Sequence, residues 1–138
     1  MRGGLLDQTA TGLCPLIFLV RRFFNIYLKR LCLHFTQVDG MTHLNFAFAF
    51  IDPTSFEITT MDAATPVELF DDVAFLKVVK PQLQIYLSIG GWTFSDNDTV
   101  TQPIFGNIAR SAKNRQIFAN NLLKFLDKYG YDGVDIDW

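Results

Sequence analysis

Cysteine is scarce in this sequence: 138 residues hold two, Cys14 and Cys32. Two thiols do not make a disulfide framework, so they are read as unpaired or incidental and leave the redox compartment open. Basic charge is also short. Twelve Lys and Arg face fourteen Asp and Glu, a formal net charge of −2, which excludes the basic surface that nucleic-acid binding needs. There is no clear membrane span: the apolar run at residues 13–20 is broken by Pro15 and is too short to cross a bilayer. A convincing signal peptide is missing too, because Arg21 and Arg22 follow that run instead of preceding it and no small-residue cleavage site comes after. No internal repeat and no low-complexity tract occur.

What is present is core-forming material. Hydrophobic residues make up 49% of the chain and Phe alone contributes 14, which rules out a disordered chain. The length allows one domain at most. Charge is unevenly placed. Residues 1–38 hold five bases (Arg2, Arg21, Arg22, Lys29, Arg30) and one acid, Asp7, whereas residues 39–138 hold seven bases and thirteen acids. The expected boundary lies at this break, with an atypical segment at 1–37 and a domain at 38–138. Residues 21–35 are basic and aromatic. They read either as an interfacial helix or as a terminus that packs poorly or not at all.

Beyond the break, strand and helix patterns alternate. "HLNFAFAF", residues 43–50, has period two, with Leu44, Phe46, Phe48 and Phe50 on one face and Asn45, Ala47 and Ala49 on the other. Asp52 and Pro53 end it. Thr65, Pro66 and Glu68 read as N-cap, first helical position and capping box; that helix should run to about Lys80, before Pro81. "LQIYLSI", residues 83–89, is apolar on both faces, as a buried parallel strand is. Residues 93–110 read as a long polar loop, with a glycosylation sequon at Asn97, Asp98 and Thr99 that is informative only in a secreted protein. Ser111 should cap a helix through Lys128, carrying Ile117, Phe118, Leu122, Phe125, Leu126 and Tyr129 at helical spacing, with Gly130 as its stop. Residues 131–138 form a last strand. Strand, helix, strand, helix, strand predicts an α/β fold with parallel strands and right-handed crossovers, either an open sheet or part of a barrel.

Two constellations carry chemistry. On a strand, Asp135 and Asp137 share one face about 6–7 Å apart. Paired carboxylates on an apolar strand are expensive unless used, and such coupled pairs are typical of acid–base sites. They also fall at the C-terminal end of a strand, where parallel α/β folds place their chemistry. The plain alternative is a solvated pair, with Asp132 a turn residue beside Gly133. A second alternative is an Mg²⁺-holding Asp-x-Asp, as in a phosphotransferase. The other constellation is "LSIGGW", residues 87–92. Ser88 ends a strand, Gly90 and Gly91 allow close approach, and Trp92 offers a face on which a sugar ring stacks or, alternatively, fills a buried corner.

"LSIGGW" followed by "YDGVDIDW" resembles the family 18 glycoside hydrolases, the chitinases, most of all their secreted fungal members. "THLNFAFAF" looks like the second strand of that family and "SAKNRQIFANNLLKFLDKYG" like the helix before the fourth. The resemblance covers residues 38–138 and implies roughly the first four units of a (β/α)8 TIM barrel. The family motif Asp-Gly-x-Asp-x-Asp-x-Glu places a general-acid glutamate two residues past the last aspartate, one position after Trp138. The substrate's own acetamido group is the nucleophile. By resemblance, Asp137 orients that group and stabilises the oxazolinium ion, and Asp135 shares a proton with it. Ser88 hydrogen-bonds into the Asp135 cluster from below, while Asp132, Gly133, Gly90 and Gly91 shape the site. Trp92 and Phe48 line the sugar cleft. No metal or cofactor is implied; the partner is chitin or chito-oligosaccharide and the expected location is extracellular. A non-catalytic chitin binder is the alternative. The family's Tyr- and Trp-rich first strand has no match in residues 1–36, apart from "KRLC", residues 29–32, which resembles the segment after it. The expectation is a truncated product with a replaced start, poorly soluble and inactive as an isolated chain.

Overall fold

Residues 40–138 are described by the computed structural model. The readings of Cys14, Cys32, the 13–20 run and the 21–35 segment lie outside the described residues. Among the described residues, four strands and five helices follow in the order β1 (His43–Ile51), β2 (Ile58–Thr60), α1 (Leu69–Ala74), α2 (Leu76–Val79), β3 (Gln84–Gly90), α3 (Trp92–Ser95), α4 (Ile104–Arg110), α5 (Ala112–Tyr129) and β4 (Gly133–Asp137). They make an α/β fold on one sheet of order β2-β1-β3-β4. The pairs β1–β3 and β3–β4 are parallel, as expected. β2 is a departure: it runs antiparallel to β1. Asp52, expected only to end β1, builds the turn that makes this hairpin. Its carboxylate accepts from the Thr54 and Ser55 amides while its own amide donates to the Glu57 carbonyl.

The sheet's two faces follow from register. Leu44 and Phe46 lie beside Ile85 and Leu87, and Leu87 beside Val134, so one face is continuous apolar core. The opposite face carries the row Ala47, Ser88, Asp135. The expected single face for Leu44, Phe46, Phe48 and Phe50 holds only as far as Phe46. Between Ala47 and Ala49 the register shifts by one residue, at a cis Ala47–Phe48 peptide. An inserted residue inverts the alternation beyond it. Ala49 and Ile51 are therefore the buried ones, and Phe48 turns toward the opposite face.

Phe70 on α1 centres the core. It is 1% exposed and packs against Phe46, Phe125 and Tyr129 at ring-centroid distances of 5.0, 4.8 and 5.3 Å. The helix expected to start at Thr65 instead begins at Leu69 and is interrupted at Phe75. Thr65 does not cap it, because its hydroxyl donates to Asp62 within the preceding turn. Residues 93–110 are not one loop: α3 and α4 fall there, and Ile104, Phe105 and Ile108 are buried. Among the described residues, no helix is long and apolar enough to cross a membrane.

α5 follows the sequence closely. Ser111 accepts from the Asn114 amide at its N-terminus, and Gly130 adopts a left-handed conformation at its end. Ser111→Ala leaves that amide unpaired. The expected cost is about 1 kcal/mol, read as a lower urea midpoint at unchanged slope; an unchanged midpoint would contradict the capping role.

Candidate active site

All the candidate residues except Asp132 and Gly133 collect toward the C-terminal ends of β1, β3 and β4. Ser88 and Asp135 are direct neighbours across the β3–β4 ladder, and Gly90 is opposite Asp137. Ser88, only 2% exposed, donates its hydroxyl to Asp135 Oδ2 at 2.8 Å. This bond fixes the carboxylate of Asp135 to the sheet. Asp137 lies two residues further along, and a strand's period of two puts it on the same face. Both carboxylates are exposed. Among the described residues no hydrogen bond links them directly.

Asp137 lines a cleft of about 490 Å³ together with Phe48, Gly91, Trp92, Ser95, Asp96 and Trp138. Trp92 opens α3 and is 85% exposed, so it does not fill a buried corner. Trp138 is 71% exposed, with its ring 5.6 Å from that of Phe105. Two large aromatic surfaces thus flank one carboxylate. The apolar faces of pyranose rings can rest on such surfaces while their hydroxyls meet polar groups.

The strand-to-helix turn at the cleft depends on two glycines with positive φ, Gly90 at 110° and Gly91 at 84°. The Gly91 amide donates to the Asp137 carbonyl at 2.9 Å, tying the end of β4 to the start of α3. A β-carbon on Gly91 would meet the Phe48 ring at 2.9 Å. This contact places Phe48 directly beneath the turn.

Asp132 and Gly133 sit at the other end of β4. Gly133 lies beside Tyr86 in the ladder. Asp132 does more than turn the chain. Its Oδ2 accepts from the Ile85 amide at 2.7 Å, and its Oδ1 takes the Lys77 ammonium at 2.6 Å. Lys77 also donates to the Gly130 carbonyl, so one lysine on α2 locks the α5–β4 junction. Partial burial raises the Asp132 pKa, but the Lys77 and Ile85 hydrogen bonds outweigh it and hold the carboxyl below the usual range. A lowered folded-state pKa stabilises the fold above the unfolded value near 3.9 and stops doing so as pH falls through the folded value. Asp132→Asn should therefore cost about 1–2 kcal/mol at neutral pH. The gap to wild type should close in urea titrations on the acid side of the unfolded pKa; a gap independent of pH would contradict the ion pair's role.

Sequence pattern does not single out Trp138, Ser95 and Asp96 as cleft residues. Ser95 carries a readable signal only in its nearness to Trp92. Its hydroxyl is buried without a hydrogen-bond partner among the described residues. Trp138 carries a signal too, as an aromatic directly after the last aspartate.

Comparison with known proteins finds chitinases and a pseudo-chitinase among similar chains. The chain is 37% identical over 97 residues to mouse (Mus musculus) chitotriosidase-1, a match covering 70% of this chain and 19% of that protein. It superposes on catalytic domain 2 of the Ostrinia furnacalis Group II chitinase, solved with penta-N-acetylchitooctaose, with a TM-score of 0.63 and 28% identity over 75% of this chain and 26% of that one. Human YKL-39, a pseudo-chitinase with retained chitooligosaccharide binding, matches with a TM-score of 0.58 and 31% identity, over 71% of this chain and 24% of that one. The chain thus spans about a fifth to a quarter of the length of these relatives. The description "Glycosyl hydrolases family 18" matches residues 22–138, and the chain belongs to that family.

Proposed function

We propose that the complete protein is a chitinase-like hydrolase that cleaves β-1,4 linkages between N-acetylglucosamine units, with retention at the anomeric carbon. In this reading β1, β3 and β4 are the second, third and fourth strands of a (β/α)8 barrel. The reading rests on one arrangement: Asp135 held by Ser88 at 2.8 Å, with Asp137 next on the same face and inside a cleft flanked by Trp92 and Trp138. Asp137 orients the substrate acetamido group and offsets the positive charge of the oxazolinium ion. Asp135 backs it, and Trp92 and Phe48 hold the sugar. The glutamate that protonates the leaving oxygen is expected two residues after Asp137 and is not among these 138 residues. The Mg²⁺ phosphotransferase alternative loses its footing with family membership. The protein is expected to act outside the cell. The domain boundary is drawn at the charge break near residue 38, and the family match spans residues 22–138.

The test is hydrolysis of chito-oligosaccharides by the full-length protein, with the anomer released followed by NMR. Initial β-anomer product supports the proposal. A second reading, a non-catalytic chitin binder, is favoured by the similarity to the YKL-39 pseudo-chitinase. Retention on chitin without turnover would select it, and neither binding nor turnover would sink both.

A further inference from the structure

One motif remains unused by the hydrolase reading: Asn97, Asp98 and Thr99, the single Asn-x-Ser/Thr triplet in the sequence. It lies between α3 and α4, directly after Asp96, which lines the cleft. Asn97 is exposed. Its Oδ1 accepts from Gln102 Nε2 at 3.1 Å, which leaves Nδ2, the atom that would carry a sugar, outside any hydrogen bond among the described residues. Asp98 has a φ of 66°, so the chain turns sharply here, at the surface. The third residue is built into the same turn. Thr99 Oγ1 donates to the Asp96 carbonyl at 2.9 Å and accepts from the Gln102 amide at 3.1 Å. The folded loop therefore holds itself together through Thr99, Asp96 and Gln102, and a substituent on Asn97 Nδ2 displaces none of those contacts.

We infer that Asn97 is an N-glycosylation site, placing an N-linked oligosaccharide at the rim of the sugar-binding cleft. The donor is a lipid-pyrophosphate-linked oligosaccharide. The Asn97 amide nitrogen forms a bond to the anomeric carbon of its first N-acetylglucosamine. The bond from that carbon to the pyrophosphate oxygen breaks, the lipid pyrophosphate leaves, and the amide gives up one proton. The inference goes beyond the hydrolase reading and requires only that the chain enter a glycosylating compartment, which the test imposes.

The 138-residue chain is translated behind a cleavable signal peptide in the presence of rough microsomes, and the protease-protected fraction is resolved by electrophoresis. A single upward mobility step is expected, removed by endoglycosidase H and absent from Asn97→Gln and from Thr99→Val. Because the transfer acts on the chain as it is translocated, loss of folding in either variant does not confound the readout. A protected wild-type fraction without the step, or a step that survives Asn97→Gln, overturns the inference.

Discussion

If the proposed activity holds, Asp137→Asn is expected to lower kcat on chito-oligosaccharides by about 10²–10³-fold in the full-length protein while leaving KM within a few-fold. The substitution keeps the side chain's size and removes its charge. In the proposed mechanism the substrate acetamido group is neutral when bound, so the ground state loses little. Positive charge develops only as the acetamido oxygen attacks the anomeric carbon. A carboxylate about 4 Å from a unit positive charge contributes about 4 kcal/mol at an effective dielectric near 20, close to three decades in rate. Asp137 is exposed in the described residues, so water screens part of this and the lower end of the range is the conservative expectation.

The fold argues that the loss would be chemical and not structural. The bond from the Gly91 amide goes to the Asp137 backbone carbonyl, which the substitution leaves in place. Asp135 keeps its Ser88 partner. A variant with wild-type urea stability and a depressed kcat supports the role given to Asp137. A loss confined to KM, or a kcat within about threefold of wild type, would assign Asp137 to substrate contact alone.

The parts legible in the sequence are those where one signal dominates. Ser111 and Gly130 bracket α5 because capping is local chemistry, and β3 reads as a strand because Leu83, Ile85, Leu87 and Ile89 recur with period two, although its other face carries Gln84, Tyr86 and Ser88 and is not apolar. Ser88 and Asp135 are legible as polar residues within otherwise apolar strands, and Asp137 from its place at the end of β4. Other features are not legible, each for a physical reason. β2 is three residues long, too short for a periodicity to form. The inversion at Phe48 comes from a register shift, which leaves the composition of the strand unchanged. α4 has Gly106 and Asn107 in its middle, both poor helix formers, so the buried trio Ile104, Phe105 and Ile108 is hidden in a polar stretch. The Lys77–Asp132 pair joins residues far apart in sequence and exists only once the sheet has formed.

Gly90→Ala is the substitution expected to damage the fold most for its size, because it puts a methyl group where backbone already stands. A β-carbon there would lie 2.3 Å from the Asp137 carbonyl oxygen and about 3 Å from the Phe105 ring. The backbone φ of 110° is one that residues with a β-carbon rarely hold, at a cost of about 1–3 kcal/mol. Relieving the overlap means moving β4 away from β3, with an overpacking cost of about 1–3 kcal/mol more. The sum, roughly 2–6 kcal/mol, is a large share of the total stability of a domain, about 5–15 kcal/mol. Gly130→Ala separates the two contributions. Gly130 also has positive φ, at 71°, but nothing lies within 4 Å of the point where its methyl group would stand, so strain acts alone and about 1–2 kcal/mol should be lost. Urea unfolding of the two variants side by side decides the matter. If Gly90→Ala costs no more than Gly130→Ala, the close approach of Asp137 to the Gly90–Gly91 turn is not what holds the carboxylate in the cleft. If it costs several times more and activity falls with it, the turn sets the position of the residue on which the proposed chemistry depends.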